Sequence, residues 1–144
     1  MVLQAYIPDS FQLQRELIAW AIERHRRGGA PIRLRIVKGA NLAAERVFAS
    51  RMGWELPIYA SKHEVDANYK RMLMAAMEPD AARAVRLGIA SHNLFDLAFG
   101  LTLRASRGVE DEVGFEVLEG MANSLQKALS LIGAPVLTYA PAVG

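Results

Sequence analysis

Arg35 sits inside the apolar run Ile32-Arg33-Leu34-Arg35-Ile36-Val37, where a guanidinium is costly to bury unless it meets an anion or an electron-rich acceptor. Lys38 follows at once, ahead of Gly39-Ala40. A lysine in that place can act as a Schiff-base amine, as a clamp on phosphate or carboxylate, or as a solvated residue at a strand end. Ser91-His92-Asn93 closes a second apolar run, Val85–Ala90. His92 there reads as a base, as a ring-stacking and hydrogen-bonding contact, or as part of a helix start made through Asn93. Glu116, within Val113–Leu118, raises the same burial problem as Arg35, and an arginine on a neighbouring strand would solve it structurally. Gln4 and Tyr139 end the first and last apolar runs, and Glu119 lies just past Leu118. Met72, Met74 and Met77 read as core packing. His25 and His63 are expected at the surface, and no spacing of histidines or carboxylates suggests a metal site.

The elements that must position these residues alternate. The segment from Val2 to Tyr6 reads as a strand with almost no leader before it. Asp9 or Ser10 can cap a helix over Phe11–Arg27, whose apolar face is Phe11, Leu13, Leu17, Ile18, Ala21 and Ile22. Arg24 to Arg27 suit the negative end of its dipole, and Gly28-Gly29 suits a left-handed cap. Strand 32–37 follows. A helical stretch near 43–52 and the Pro57-Ile58-Tyr59 segment lengthen the next connection, and long βα connections often carry function. Then come a helix over 65–77 with Val65, Tyr69, Leu73 and Met77 or Met72 and Ala76 as inward rows, strand 85–90, helix 94–105, strand 113–118, helix 121–131 and strand 136–139. Five strands separated by four main helices predict an α/β fold with a parallel sheet in one domain, 1–144. That pattern fits an open doubly wound sheet or part of a (β/α)₈ barrel. No G-x-G-x-x-G follows any strand, which disfavours a dinucleotide-binding domain. Polar residues at each strand's C-terminal end favour the barrel, whose active sites lie there.

Composition narrows the class. The 144 residues are 52% hydrophobic and 22% charged, the balance of a folded globular domain. Seventeen basic residues oppose 15 acidic ones without a concentrated basic arm, so contact with nucleic acid is not expected. With no cysteine, disulfides and thiolate chemistry are excluded, which fits a cytoplasmic setting. No apolar run is long enough to predict a membrane span.

At these same positions the sequence resembles proline dehydrogenase, the FAD-dependent barrel found in bacterial bifunctional proline-utilisation enzymes. The resemblance runs through Leu3-Gln4-Ala5-Tyr6, Arg33-Leu34-Arg35-Ile36-Val37-Lys38-Gly39-Ala40, Tyr59-Ala60-Ser61-Lys62 and Val65-Asp66-Ala67-Asn68-Tyr69. It continues through Ala90-Ser91-His92-Asn93, Phe115-Glu116-Val117-Leu118-Glu119-Gly120-Met121 and Thr138-Tyr139-Ala140-Pro141. It implies that Gln4 and Arg35 reach the flavin ring, with Arg35 near N5. Lys38, Gly39 and Ala40 would hold the phosphate and ribityl region, and Ser61, Lys62, Ser91, His92 and Asn93 the phosphate and adenosine side. Glu116 would stand near the flavin where relatives often have glutamine, and Asn41-Leu42 where many have aromatic residues. Leu118 and Tyr139 would line the proline pocket. The implied reaction takes L-proline to pyrroline-5-carboxylate, with electrons passing through FAD to a quinone.

The resemblance further implies strands four to eight of the parent barrel, with strands one to three, the final helix and its carboxylate-binding arginine pair outside the chain. An inactive isolated segment that self-associates through its strand edges is then expected. The parent is expected in the cytoplasm, with peripheral contact at the inner membrane. Two other readings stand beside this one: a Schiff-base aldolase barrel using Lys38, and a non-catalytic, barrel-derived interaction module.

Overall fold

The computed structural model describes residues 1–39, 42–121 and 123–140. In chain order the elements are β1 (Val2–Gln4), α1 (Ser10–Arg26), β2 (Ile32–Val37), α2 (Leu42–Met52), α3 (Lys62–Ala76) and α4 (Pro79–Ala84). They continue with β3 (Val85–Ala90), α5 (Leu94–Arg107), β4 (Val113–Leu118), α6 (Asn123–Leu131) and β5 (Val136–Tyr139). The strands form one parallel sheet in the order β1-β2-β3-β4-β5. A doubly wound sheet reverses its strand order at a switch point, whereas this order never reverses, as in a barrel wall. The five strands form a partial barrel.

Period-two alternation separates the sheet's faces. Leu34 and Ile36 of β2, Leu87 and Ile89 of β3 and Phe115 of β4 are buried in one core with Tyr69, Met72, Leu73 and Met77 from the α3 side. Each such fully buried side chain contributes about 1.5–3 kcal/mol. Register partners share the other face, which carries Gln4, Arg35, Gly88, Glu116, Leu118 and Tyr139. That is the barrel's inner face.

The structure departs from the sequence reading in four places. Among the described residues there are six helices where four main ones were expected, because α2 is a full helix and α4 is an additional one. Pro79 takes the first turn of α4, where its missing N–H costs nothing. Leu13 is 54% exposed, and α1 instead buries Ser10, Gln14, Ile18 and Ala21. A polar row can face inward there because Gln14 Nε2 donates to the Met72 carbonyl (2.8 Å) and Asn68 Nδ2 to the Ala5 carbonyl (2.9 Å). Met74 lies on the solvent side of α3, 45% exposed, and is not core. Finally, α3 starts three residues early, at Lys62, because Ser61 and Glu64 form a reciprocal capping box.

Candidate functional site: two charge clusters at the strand ends

On the inner face Glu116 is almost fully buried and accepts from two arginines, Arg33 Nε at 2.9 Å and Arg35 Nε. Both come from β2, two strands away. The intervening strand has its own arginine, Arg86, which turns instead to the Asp111 carbonyl and Glu112. The expected pairing partner for Glu116 is therefore one strand further off than the neighbour. Gly88 makes this reach possible, since a Cβ there would stand 2.1 Å from Glu116 Oε1. The Arg35 guanidinium also lies over the Tyr139 ring, 3.9 Å from its centroid, in cation–π geometry. Leu118 is the register partner of Tyr139, so the two side by side continue this face toward the strand ends.

The second cluster sits just beyond the strand ends, where β2 and β3 meet α3 and α5. Lys38 Nζ lies 2.5 Å from Asp66 Oδ1 and 2.7 Å from Asp96 Oδ2. Lys62 holds the other Asp66 oxygen at 2.5 Å, and Ser91 Oγ donates to Asp96 at 3.0 Å. Burial alone would lower the Lys38 pKa, but bonds to Asp66 and Asp96 outweigh it and raise it. Burial likewise works against the Asp66 carboxylate, yet Lys38 and Lys62 hold its pKa below the ordinary value. Tyr69 lies beneath, its hydroxyl donating to the Ala90 carbonyl at 3.2 Å, with its pKa driven up by burial and then by Asp96.

Two of the expected site residues serve as helix caps. Asn93 Oδ1 accepts from the backbone of Phe95 (2.9 Å) and Asp96 (3.2 Å), starting α5, and Ser61 caps α3. His92 ties the end of β3 to β4, its Nε2 accepting from the Leu118 N–H at 3.4 Å. Gln4 ends β1 on the inner face beside Val37. Ala40 and Asn41 lie outside the described residues.

A cavity of about 330 Å³ opens beside the second cluster, bordered by Tyr6, Lys38, Gly39, Arg46, Ser61 and Lys62 among others. The Tyr6 hydroxyl is buried close to Gln4 and Glu45; burial, then the Glu45 carboxylate, pushes its pKa up, against a smaller lowering by Gln4. The three cationic side chains at this cavity, Lys38, Arg46 and Lys62, suit a phosphate-bearing group, while the Ser61 hydroxyl is held by Glu64. Arg46 and Lys62 are exposed enough to turn toward such a group.

Residues 1–144 match the family described as proline dehydrogenase. The chain belongs to that family. Its fold superimposes on proline utilization A from Corynebacterium freiburgense with a TM-score of 0.88 at 46% identity, covering 96% of this chain and 14% of that one. Proline utilization A from Bdellovibrio bacteriovorus, in a structure described as inactivated by N-propargylglycine, gives a TM-score of 0.87 at 33% identity. That match covers 99% of this chain and 14% of the other. Human proline dehydrogenase 1, mitochondrial, is 30% identical over 142 residues, which is 96% of this chain and 23% of that protein. The chain therefore spans about a quarter or less of these relatives.

As a proline dehydrogenase barrel segment, the chain brings the expected residues together in two groups: Arg35, Glu116, Leu118 and Tyr139 within the barrel, and Lys38, Ser61, Lys62 and Ser91 at its rim. Sequence reasoning missed Asp66, Asp96, Gly88 and Tyr6 as parts of these groups. A signal existed for the first two, since Asp66 stands four residues after Lys62 on one helix face, and Asp96 three residues after the cap Asn93. For Gly88 and Tyr6 none existed, because their roles depend on what lies across the sheet.

Proposed function

We propose that the protein containing these residues oxidises L-proline to pyrroline-5-carboxylate with FAD and passes the electrons to a quinone. The observation that carries this reading is Arg35, fixed over the Tyr139 ring on the inner face, one register step from Leu118, in a chain of the proline dehydrogenase family. Bound flavin supplies the two-electron acceptor. This chain's residues bind and orient: Arg35 donates toward an electron-rich ring, and Leu118 with Tyr139 forms an apolar wall sized for a small saturated ring. Gln4 adds a polar contact at the β1 end. Lys62 and Arg46 hold phosphate oxygens at the rim, with Lys38 as a fixed positive centre.

The aldolase reading loses its support. A Schiff-base lysine needs its amine neutral, through a lowered pKa, whereas Lys38 is gripped by two carboxylates and its pKa is raised.

The test is anaerobic addition of L-proline to the purified full-length protein. Bound FAD whose visible flavin absorbance bleaches with proline and recovers with a quinone supports the proposal. A flavin-free protein, or flavin that proline leaves oxidised, refutes it. For the isolated 144 residues we expect no turnover and concentration-dependent self-association through the outer edges of β1 and β5, read by sedimentation. We further place the parent in the cytoplasm with peripheral contact at the inner membrane, an assignment that fractionation of cells expressing it would check.

A further inference from the structure

A buried carboxylate between two arginines is more than an isolated pair needs. Glu116 uses both oxygens, Oε1 for Arg33 and Oε2 for Arg35, and reaches them across the space left by Gly88. Arg33 is half exposed and has water available; Arg35 is largely buried and stacked on Tyr139. The carboxylate therefore fixes Arg35 against the Tyr139 ring. It also reduces the charge of the arginine pair from two to one in a region where water screens poorly.

We propose that Glu116 is a positioning residue for the redox step: by holding Arg35 on Tyr139 and cancelling one of two positive charges, it sets how strongly the site favours reduced over oxidised flavin. The inference rests on the flavin reading above. Reduction adds electron density to the flavin ring, so an uncompensated guanidinium favours the reduced form and a carboxylate opposes it. An amide at position 116 offers one acceptor oxygen, and its NH₂ would face a guanidinium. Glu116→Gln therefore breaks one of the two contacts and leaves both positive charges. Arg33→Gln does the reverse, leaving Glu116 to Arg35 alone and the cluster neutral.

Spectroelectrochemical titration of the full-length, flavin-loaded protein separates these cases. Glu116→Gln is expected to move the oxidised/reduced equilibrium at least tenfold toward the reduced form, about 30 mV upward for a two-electron couple. Arg33→Gln is expected to move it downward, with flavin content and thermal midpoint close to wild type because that side chain is half in solvent. A merely structural role would lower flavin content or stability without shifting the potential in opposite directions. Should Glu116→Gln not fold, Gly88→Ala displaces the carboxylate without removing it and is expected to shift the potential upward too. Unchanged potentials in Arg33→Gln and in whichever of the other two folds, with flavin still bound, overturn the role of Glu116 and leave the flavin reading intact. A wild-type protein that binds no flavin sinks both.

Discussion

The inner-face cluster and the rim cluster solve one problem with opposite polarity. In the first a carboxylate is bracketed by two guanidinium groups; in the second an ammonium is bracketed by two carboxylates. They differ in where their uncompensated remainder lies. Removing Glu116 leaves Arg33 about half exposed and Arg35 about a quarter exposed, so water recovers part of the lost interaction. Removing Lys38 leaves Asp96 with 5% of its side chain exposed and a neighbouring carboxylate on Asp66. The rim is thus the more fragile cluster, although it carries more solvent-exposed groups. Its lysine is engaged by protein carboxylates, whereas the inner cluster keeps a net positive charge.

The largest effect should come from Lys38→Met. Breaking a buried pair by deleting one partner costs about 3–5 kcal/mol, and we expect about 3 kcal/mol here from urea unfolding of the folded parent domain, since Lys38 is itself a quarter exposed. Glu116→Ala should cost less, about 2 kcal/mol, because Arg33 can turn to water and Arg35 keeps its stack on Tyr139. If the order of the two is inverted, the account of which cluster depends on burial is wrong.

Gly88→Ala should come next. The added methyl would meet Glu116 Oε1 at 2.1 Å and Cδ at 2.5 Å, and the carboxylate is pinned by its two arginines. Overpacking of this kind costs about 1–3 kcal/mol, and we expect about 1 kcal/mol because a side chain, not backbone, must move. The double variant Gly88→Ala with Glu116→Ala sharpens the comparison: the cost of the methyl should vanish once the carboxylate is gone. A full, additive penalty in the double variant would mean that Gly88 serves the backbone and not Glu116.

Much of this arrangement was legible in the sequence because it repeats with the period of its elements. Alternation in Ile32–Val37 separates Leu34 and Ile36 from Arg33 and Arg35, and the five strands stand at the positions that such runs predict. Strand ends marked Arg35, Lys38, His92 and Tyr139 as neighbours in space, because parallel strands bring all their C-terminal ends to one side. The partners within each cluster were not legible. Glu116 pairs across an intervening strand, and which strand it skips depends on a single missing side chain at Gly88. The inward turn of Gln14 in place of Leu13 escaped for a similar reason: an apolar count along α1 cannot register that the Met72 carbonyl waits for a donor. Asn93 reads as a helix start in the sequence itself, and the capping signal for Ser61 stands at Glu64, three residues on.

The smallest expected effect concerns acid and the Asp66 carboxylate at the rim. The Asp66 pKa is lowered in the fold because Lys38 and Lys62 outweigh the cost of its burial. A carboxylate with a depressed folded-state pKa adds stability that is fully present above its unfolded value of 3.8 and is lost as pH falls through the folded value. Asp66→Asn should therefore be less stable than wild type at neutral pH, by under about 1 kcal/mol because its pairs are partly in solvent. The gap should narrow below pH 3.8. Added salt should shrink it at neutral pH, since the Lys62 arm of the pair is exposed and screened. Lys38 works at the other extreme: its raised pKa contributes stability below 10.5 that is lost as pH rises through the folded value. Thermal melts of both proteins from pH 3 to 8, roughly spanning the acid limb, decide the point: a gap that stays constant through acidification would mean that Asp66 is held by its helix and not by its lysines.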